Sequence, residues 1–167
     1  MELLAAIESR SSAARLIEPG PTPEHLSRIL GAAGRAPDHG RLKPWQLLVL
    51  DQATKERFAM AAARAKRARS PSLGDEQLAA ERDRIMRSPT IVIVGCMVRE
   101  HPKVPQIEQV IAAAAAAQNL FLAAHDLGYG VMWKTGAAAY DPDVKALVGL
   151  RPHDHIVAIM HLGTRPT

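Results

Sequence analysis

Thr90-Ile91-Val92-Ile93-Val94-Gly95-Cys96-Met97-Val98, bounded by Pro89 and Arg99, decides the fold of this chain. Its β-branched, uninterrupted apolar run has the length and composition of a buried strand. A buried strand needs helices to cover it. On its C-terminal side, residues 105–127 read as the longest helix. It contains the alanine-rich stretch 112–117 and is closed by Gly128 in a C-cap position. Strands at 130–134 and 155–162 follow, with a short helix after Asp141-Pro142 between them. On the N-terminal side, helices are expected at about 76–86 and from a cap at Asp51 to about 67, preceded by a strand at 45–50. Thr22 as N-cap and Pro23 at the first helical position announce another helix, with Leu26, Ile29, Leu30 and Ala33 at helical spacing and Gly31, Gly34 and Pro37 closing it. Residues 2–9 form a short first helix. The order is α, α, β, α, α, β, α, β, α, β. We read it as an α+β fold, three-layer α/β/α, with helices around one sheet and a single domain over residues 1–167.

Composition sets the outer limits. A chain of 167 residues can bury a core without staples. The hydrophobic share of 47% and charged share of 23% fit a soluble globule, not a disordered chain. One cysteine, Cys96, excludes a disulfide framework and a multi-thiolate metal site. No signal peptide is visible, and the apolar run 110–117 is too short for a membrane span. The expectation is a cytoplasmic protein with no metal and no membrane partner. A net charge of +4 suits an anionic ligand or a nucleic acid. The basic excess clusters in Lys55, Arg57, Arg64, Lys66, Arg67 and Arg69, which reads as a solvated helix face and loop. A nucleic-acid-binding module built on residues 55–69 is the remote alternative, and only Phe58 supplies an aromatic there.

Most sites of chemistry resolve to structure. Gly128-Tyr129-Gly130 lies between helix and strand, the reverse of a dinucleotide fingerprint, and reads as a helix-ending turn. His153 and His155 have no evident third ligand and read as a polar turn. Cys96 reads as an inert core residue. Glu76, Glu81 and Asp83 read as solvent-facing helix charges. Two places keep functional interest. In Ser9-Arg10-Ser11-Ser12 a guanidinium and two hydroxyls meet free backbone amides at a helix end, which is chemistry for a phosphate. In Trp133-Lys134-Thr135-Gly136 an aromatic, a cation and a glycine follow a strand and can wall a ligand pocket.

Read together, Ser9-Arg10-Ser11-Ser12-Ala13-Ala14-Arg15-Leu16-Ile17-Glu18-Pro19, Arg35-Ala36-Pro37-Asp38-His39, Pro44-Trp45, Lys103-Val104-Pro105, Gly128-Tyr129-Gly130, Trp133-Lys134-Thr135-Gly136 and Leu162-Gly163-Thr164 resemble the nitroreductase family of flavoproteins. The resemblance is nearest to its compact YdjA-type branch and runs from residue 1 to about 164. It implies an FMN-dependent oxidoreductase of nitroreductase-like fold with a mainly antiparallel sheet. Such an enzyme passes a hydride from NAD(P)H through the flavin to a nitroaromatic, quinone or similar acceptor, by a ping-pong mechanism. Another flavin redox task, reductive dehalogenation or dehydrogenation of a small metabolite, is the alternative within the family. The resemblance also implies a homodimer with FMN at the interface, with the chemistry carried by FMN rather than by a catalytic side chain. By motif match, Arg10, Ser11 and Ser12 hold the FMN phosphate. Arg35 and His39 approach from the partner subunit, and Trp133, Lys134 and Thr135 line the ring edge. Ala123, Ala124, His125, Asp126, Leu127 and Gly128 match a segment associated with the nicotinamide. The branch more often has arginine at Lys134, and the wider family carries a basic residue where Ala14 stands. Family members commonly continue past Gly163-Thr164 with a tail that embraces the partner, whereas this sequence ends at Thr167.

Overall fold

The computed structural model describes residues 2–166. Its elements are α1 (Leu3–Ser9), α2 (Pro23–Ala33), β1 (Trp45–Val49), α3 (Gln52–Arg69), α4 (Asp75–Met86), β2 (Thr90–Cys96), α5 (Gln106–Asp126), β3 (Gly130–Lys134), α6 (Pro142–Leu147) and β4 (His155–Gly163). The order is the expected one, with short 3-10 turns added at His39–Arg41 and Ala137–Tyr140. Helix starts follow the sequence signals. Thr22 Oγ1 accepts the His25 amide at 3.2 Å, Asp51 Oδ1 accepts the Thr54 amide at 2.7 Å, and Asp141 Oδ1 accepts the amides of Asp143 and Val144. β2 is shorter than the apolar run that announced it. Past Cys96 the Met97 amide still meets the Pro44 carbonyl in register, but the Val98 amide goes to Asp154 Oδ1, and the ladder ends there.

The strands form one sheet in the order β1-β2-β4-β3, and each pairing is antiparallel. Alternation along β2 sends Ile91 and Ile93 toward α3, α4 and α6, and Val92 and Val94 toward α2 and α5. Phe58 from α3 and Leu120 from α5 are fully buried on the two sides, and each such side chain is worth about 1.5–3 kcal/mol. By length and composition α5 could cross a membrane, yet its Ala116, Ala117, Leu120, Phe121 and Ala124 pack on the sheet as a core helix.

Two details place the N-terminal segment. The Ala13 amide donates to the Val131 carbonyl at 2.8 Å, and Ile17 bridges Thr164, so the chain after α1 lies along β3 and the end of β4. Gly130 permits this approach, because a Cβ there would stand 2.7 Å from Leu16 and 2.8 Å from Arg165. At the opposite end of the sheet, Asp154 has a side chain only 1% exposed. It accepts from the Arg151 amide and guanidinium and from the Val98 amide. Burial alone would raise its carboxyl, but these donors outweigh it and hold the pKa at about 2.

Candidate functional site

Where α4, β3, β4 and residues 13–18 meet, the surface opens into a cavity of about 460 Å³. A second cavity of about 300 Å³, under residues 134–138, shares Arg84, Lys134 and His161 with the first as a common wall. The floor of the second is apolar, formed by Phe58, Ala62, Ile85 and Ile159. Strand alternation brings Lys134 here and sends its neighbour away. Trp133 packs with the α2/α5 core, its indole N–H donating to the Val157 carbonyl at 3.2 Å. The two residues read together from sequence therefore face opposite sides of β3, and only their main chain can share one wall.

The common wall is cationic and partly dry. Burial, and then the nearby Arg84, lower the Lys134 ammonium pKa, with Glu81 opposing in part. Glu81 corrects the expectation of a solvent-facing charge: its side chain is 14% exposed and takes Lys66 Nζ at 2.7 Å together with Arg84. Burial raises its carboxyl, and these two cations more than reverse the effect. His161 is 3% exposed, with Nδ1 2.7 Å from Ser88 Oγ. Burial first, then Lys134 and Arg84, press its pKa down to about 3, so the imidazole is neutral at physiological pH. Arg84, Glu81 and His161 were missed by sequence reading, because they reach the site only through the packing of α4 and β4.

Next to the larger cavity lies the Arg10-Ser11-Ser12 corner. α1 ends at Ser9, so this is a helix C-terminus, whose free backbone groups are carbonyls rather than amides. The amides available to an anion are those of Ser11 and Ser12, one and two residues beyond Arg10. No described backbone carbonyl accepts from either. The Arg10 guanidinium is held 5.1 Å over the Phe121 ring. Arg165, also missed from sequence, donates from Nη1 to Ser11 Oγ at 3.1 Å and from Nη2 to the Ser11 carbonyl at 2.6 Å. Its only sequence signal is its place directly after Leu162-Gly163-Thr164. Arg165 thus meets Ser11 directly, and Arg10 and Ser12 flank Ser11 in the chain.

Arg35 and His39 are not brought to this corner. His39 Nδ1 lies 2.5 Å from Glu108 Oε2, near the start of α5, whereas Arg10 sits over Phe121 near its end. At 1.5 Å per residue these positions are about 20 Å apart along the helix. Arg35 is exposed just past α2. Among residues 123–128, Ala124 is buried in the core, His125 Nε2 is 2.9 Å from Ser9 Oγ, and Gly128 ends the helix at φ 88°. The segment is a core helix end and its cap, as Gly128-Tyr129-Gly130 suggested.

The remaining sequence candidates take structural places. Cys96 is buried, which pushes its thiol up to about 11. His155 meets Gln106 at 2.7 Å, and among the described residues no His, Cys, Asp and Glu group could hold a metal. The basic run is less solvated than expected. Lys55 is buried with Nζ on the Ser88 carbonyl at 2.9 Å, Lys66 holds Glu81, Arg67 pairs with Asp75, and Arg69 lies over Tyr140.

Comparison with known proteins bears on the family and the fold. The nitroreductase family model matches residues 9–164. The chain is 37% identical over 164 residues to YdjA of Escherichia coli (strain K12), whose name places it among candidate NAD(P)H nitroreductases, covering 98% of this chain and 88% of that one. A nitroreductase-like protein from Bacillus cereus superposes with a TM-score of 0.81 at 24% identity, over 100% of this chain and 87% of the other. A nitroreductase from Bacteroides fragilis, solved with bound FMN, gives 0.76 at 24% identity, over 99% and 89%. A family model over nearly the whole chain and a near full-length sequence match point the same way, and the chain belongs to the nitroreductase family.

Proposed function

We propose that the protein is an FMN-dependent NAD(P)H oxidoreductase that works as a homodimer and reduces nitroaromatics, quinones or similar acceptors in two separate half-reactions. The observation that carries this reading is the corner formed by Arg10, Ser11, Ser12 and Arg165, taken with the cationic wall of Lys134 and Arg84 over the smaller cavity, whose apolar floor suits a ring. Two planar forks, two hydroxyls and two unengaged amides fit a phosphate monoester. Bound FMN supplies two-electron chemistry between the nicotinamide and the acceptor. The chain's own groups do the rest. Arg10 and Arg165 anchor the phosphate. Lys134 and Arg84 give the cavity a positive potential that favours a ring carrying negative charge. The neutral His161 and apolar Phe58, Ile85 and Ile159 keep that part of the site dry, so the cations act at low effective dielectric.

The second subunit enters through the distance between the two halves of the predicted site. One chain holds His39 at the start of α5 and Arg10 at its end. A two-fold pairing of α5 with its copy would place each half beside the other. The exposed apolar side chains Leu3, Leu4 and Ile7 on α1 and Ile107 and Ile111 on α5 supply the surface for that pairing. Purified protein loaded with FMN is expected to be yellow and to sediment as a dimer. A colourless chain that FMN cannot reconstitute overturns the reading, and a monomer that keeps FMN tightly overturns its dimeric part.

Lys134 gives a finer test. Removing a cation that favours the reduced, negatively charged flavin lowers the potential. A differential of one pK unit is about 1.4 kcal/mol, which corresponds to roughly 30 mV for a two-electron couple. Lys134→Met is expected to keep FMN and lower its midpoint potential by about that amount, with slower reduction by NAD(P)H. Equilibrium dye titration measures it. An unchanged potential at full occupancy would remove Lys134 from the electrostatic environment of the flavin.

A further inference from the structure

Arg15 and Arg87 line the larger cavity from two different elements, the segment after α1 and the C-cap of α4. Among the described residues neither has an ion-pair partner, whereas Arg84, on the same wall, is committed to Glu81. Glu18, the one carboxylate lining this cavity, gives Oε2 to the Gly20 amide at 3.0 Å. At the end of α4 the helix carbonyls favour a cation, so Arg87 is well placed there without a carboxylate partner and can offer its charge to a ligand. The FMN phosphate already has Arg10, Arg165, Ser11 and Ser12, so this second pair of guanidinia answers to a different anion.

We propose that Arg15 and Arg87 bind the 2′-phosphate of NADPH and make the enzyme select NADPH over NADH. The proposal rests on the flavoenzyme reading above. Two planar donor forks match a tetrahedral dianion. NADH offers at the same position a neutral hydroxyl, which leaves both guanidinia unsatisfied. The pyrophosphate is common to both dinucleotides and cannot discriminate, so the selection must come from the adenosine end.

The test uses the oxidised, FMN-loaded protein, with occupancy read from its visible spectrum. Calorimetric titration compares adenosine 2′,5′-bisphosphate with 5′-AMP, and steady-state kcat/KM compares NADPH with NADH. We expect the 2′-phosphorylated partner to be favoured by roughly ten-fold or more in both measurements. In the Arg15→Gln/Arg87→Gln double variant both preferences collapse, while FMN affinity is unchanged. Equal binding of the two nucleotides, or a preference that survives the double variant, overturns the proposal. So does a loss of FMN affinity in that variant, which would make the pair the flavin's own phosphate site. A chain that takes up no FMN overturns the flavoenzyme reading instead, and the nucleotide titration on that chain still decides the arginine pair.

Discussion

Replacing Arg10 and Arg165 together by alanine is expected to weaken FMN binding by a hundred-fold or more. Each guanidinium can make charge-assisted hydrogen bonds to the phosphate worth about 1.5–3 kcal/mol, and about 1.4 kcal/mol is a factor of ten. The two losses need not add, because both residues act on one corner. Arg165 has a second task, since it holds Ser11 through its hydroxyl and its carbonyl. Its removal also loosens the loop that presents the Ser11 and Ser12 amides. Arg165→Lys separates the two roles, because an ammonium keeps the charge but not the fork. FMN affinity is read by fluorescence titration of the apoprotein, with circular dichroism to confirm an intact fold. Arg10→Ala alone should cost about ten-fold, and an unchanged affinity would show that the phosphate lies elsewhere. The cation–π seat over Phe121 adds a check, since Phe121→Leu should loosen Arg10 and weaken FMN less than Arg10→Ala does.

The fold was readable from this sequence because its signals are local. Thr22-Pro23, Asp51 and Asp141 fix helix starts through bonds spanning two or three residues, and Gly128 ends α5 through a left-handed turn. The apolar run at β2 needed no partner to be recognised. Half of the site has the same locality. Arg10-Ser11-Ser12 and the tetrapeptide 133–136 at the end of β3 are contiguous motifs, and Lys134, Thr135 and Gly136 of the second line the smaller cavity. What escaped is long-range. Glu81 looks like a surface charge on α4 until Lys66 of α3 and Arg84 close over it. Lys55 lies in a basic run, yet points inward because the Ser88 carbonyl at the end of α4 needs a donor. Trp133 and Lys134 are adjacent in sequence and opposite in space. Periodicity could have separated that pair, had the strand been followed residue by residue.

His161 ties the site to the stability of the whole chain. Its imidazole is buried against Ser88, and burial first, then Lys134 of β3, Arg84 of α4 and Lys55 of α3, depress its pKa from 6.5 to about 3, with Glu81 of α4 opposing them. In the unfolded chain the group takes up a proton below about pH 6.5, whereas in the folded chain it does so only near pH 3. Between those values the unfolded state binds more protons, so folding is favoured less as the pH falls. The contribution is complete above pH 6.5 and lost on the way to about pH 3. The upper part of this window belongs largely to His161, because the depressed carboxylates of Asp154 and Glu81 start to matter only near their ordinary values of 3.8 and 4.5. His155, depressed by burial, adds a smaller change of the same sign. From pH 6.5 to 4.5 the expected loss is about 2 kcal/mol, seen as a fall in melting temperature of roughly 4–8 °C. His161→Gln keeps a polar side chain beside Ser88 and removes the titration, so its profile should be flatter over those two units, although its stability at neutral pH is lower. Superimposable profiles for the two proteins would mean that His161 takes up its proton in the folded state. In that case the wall shared by the two cavities would be more cationic below pH 6.5, and the environment around Lys134 wetter than its burial implies.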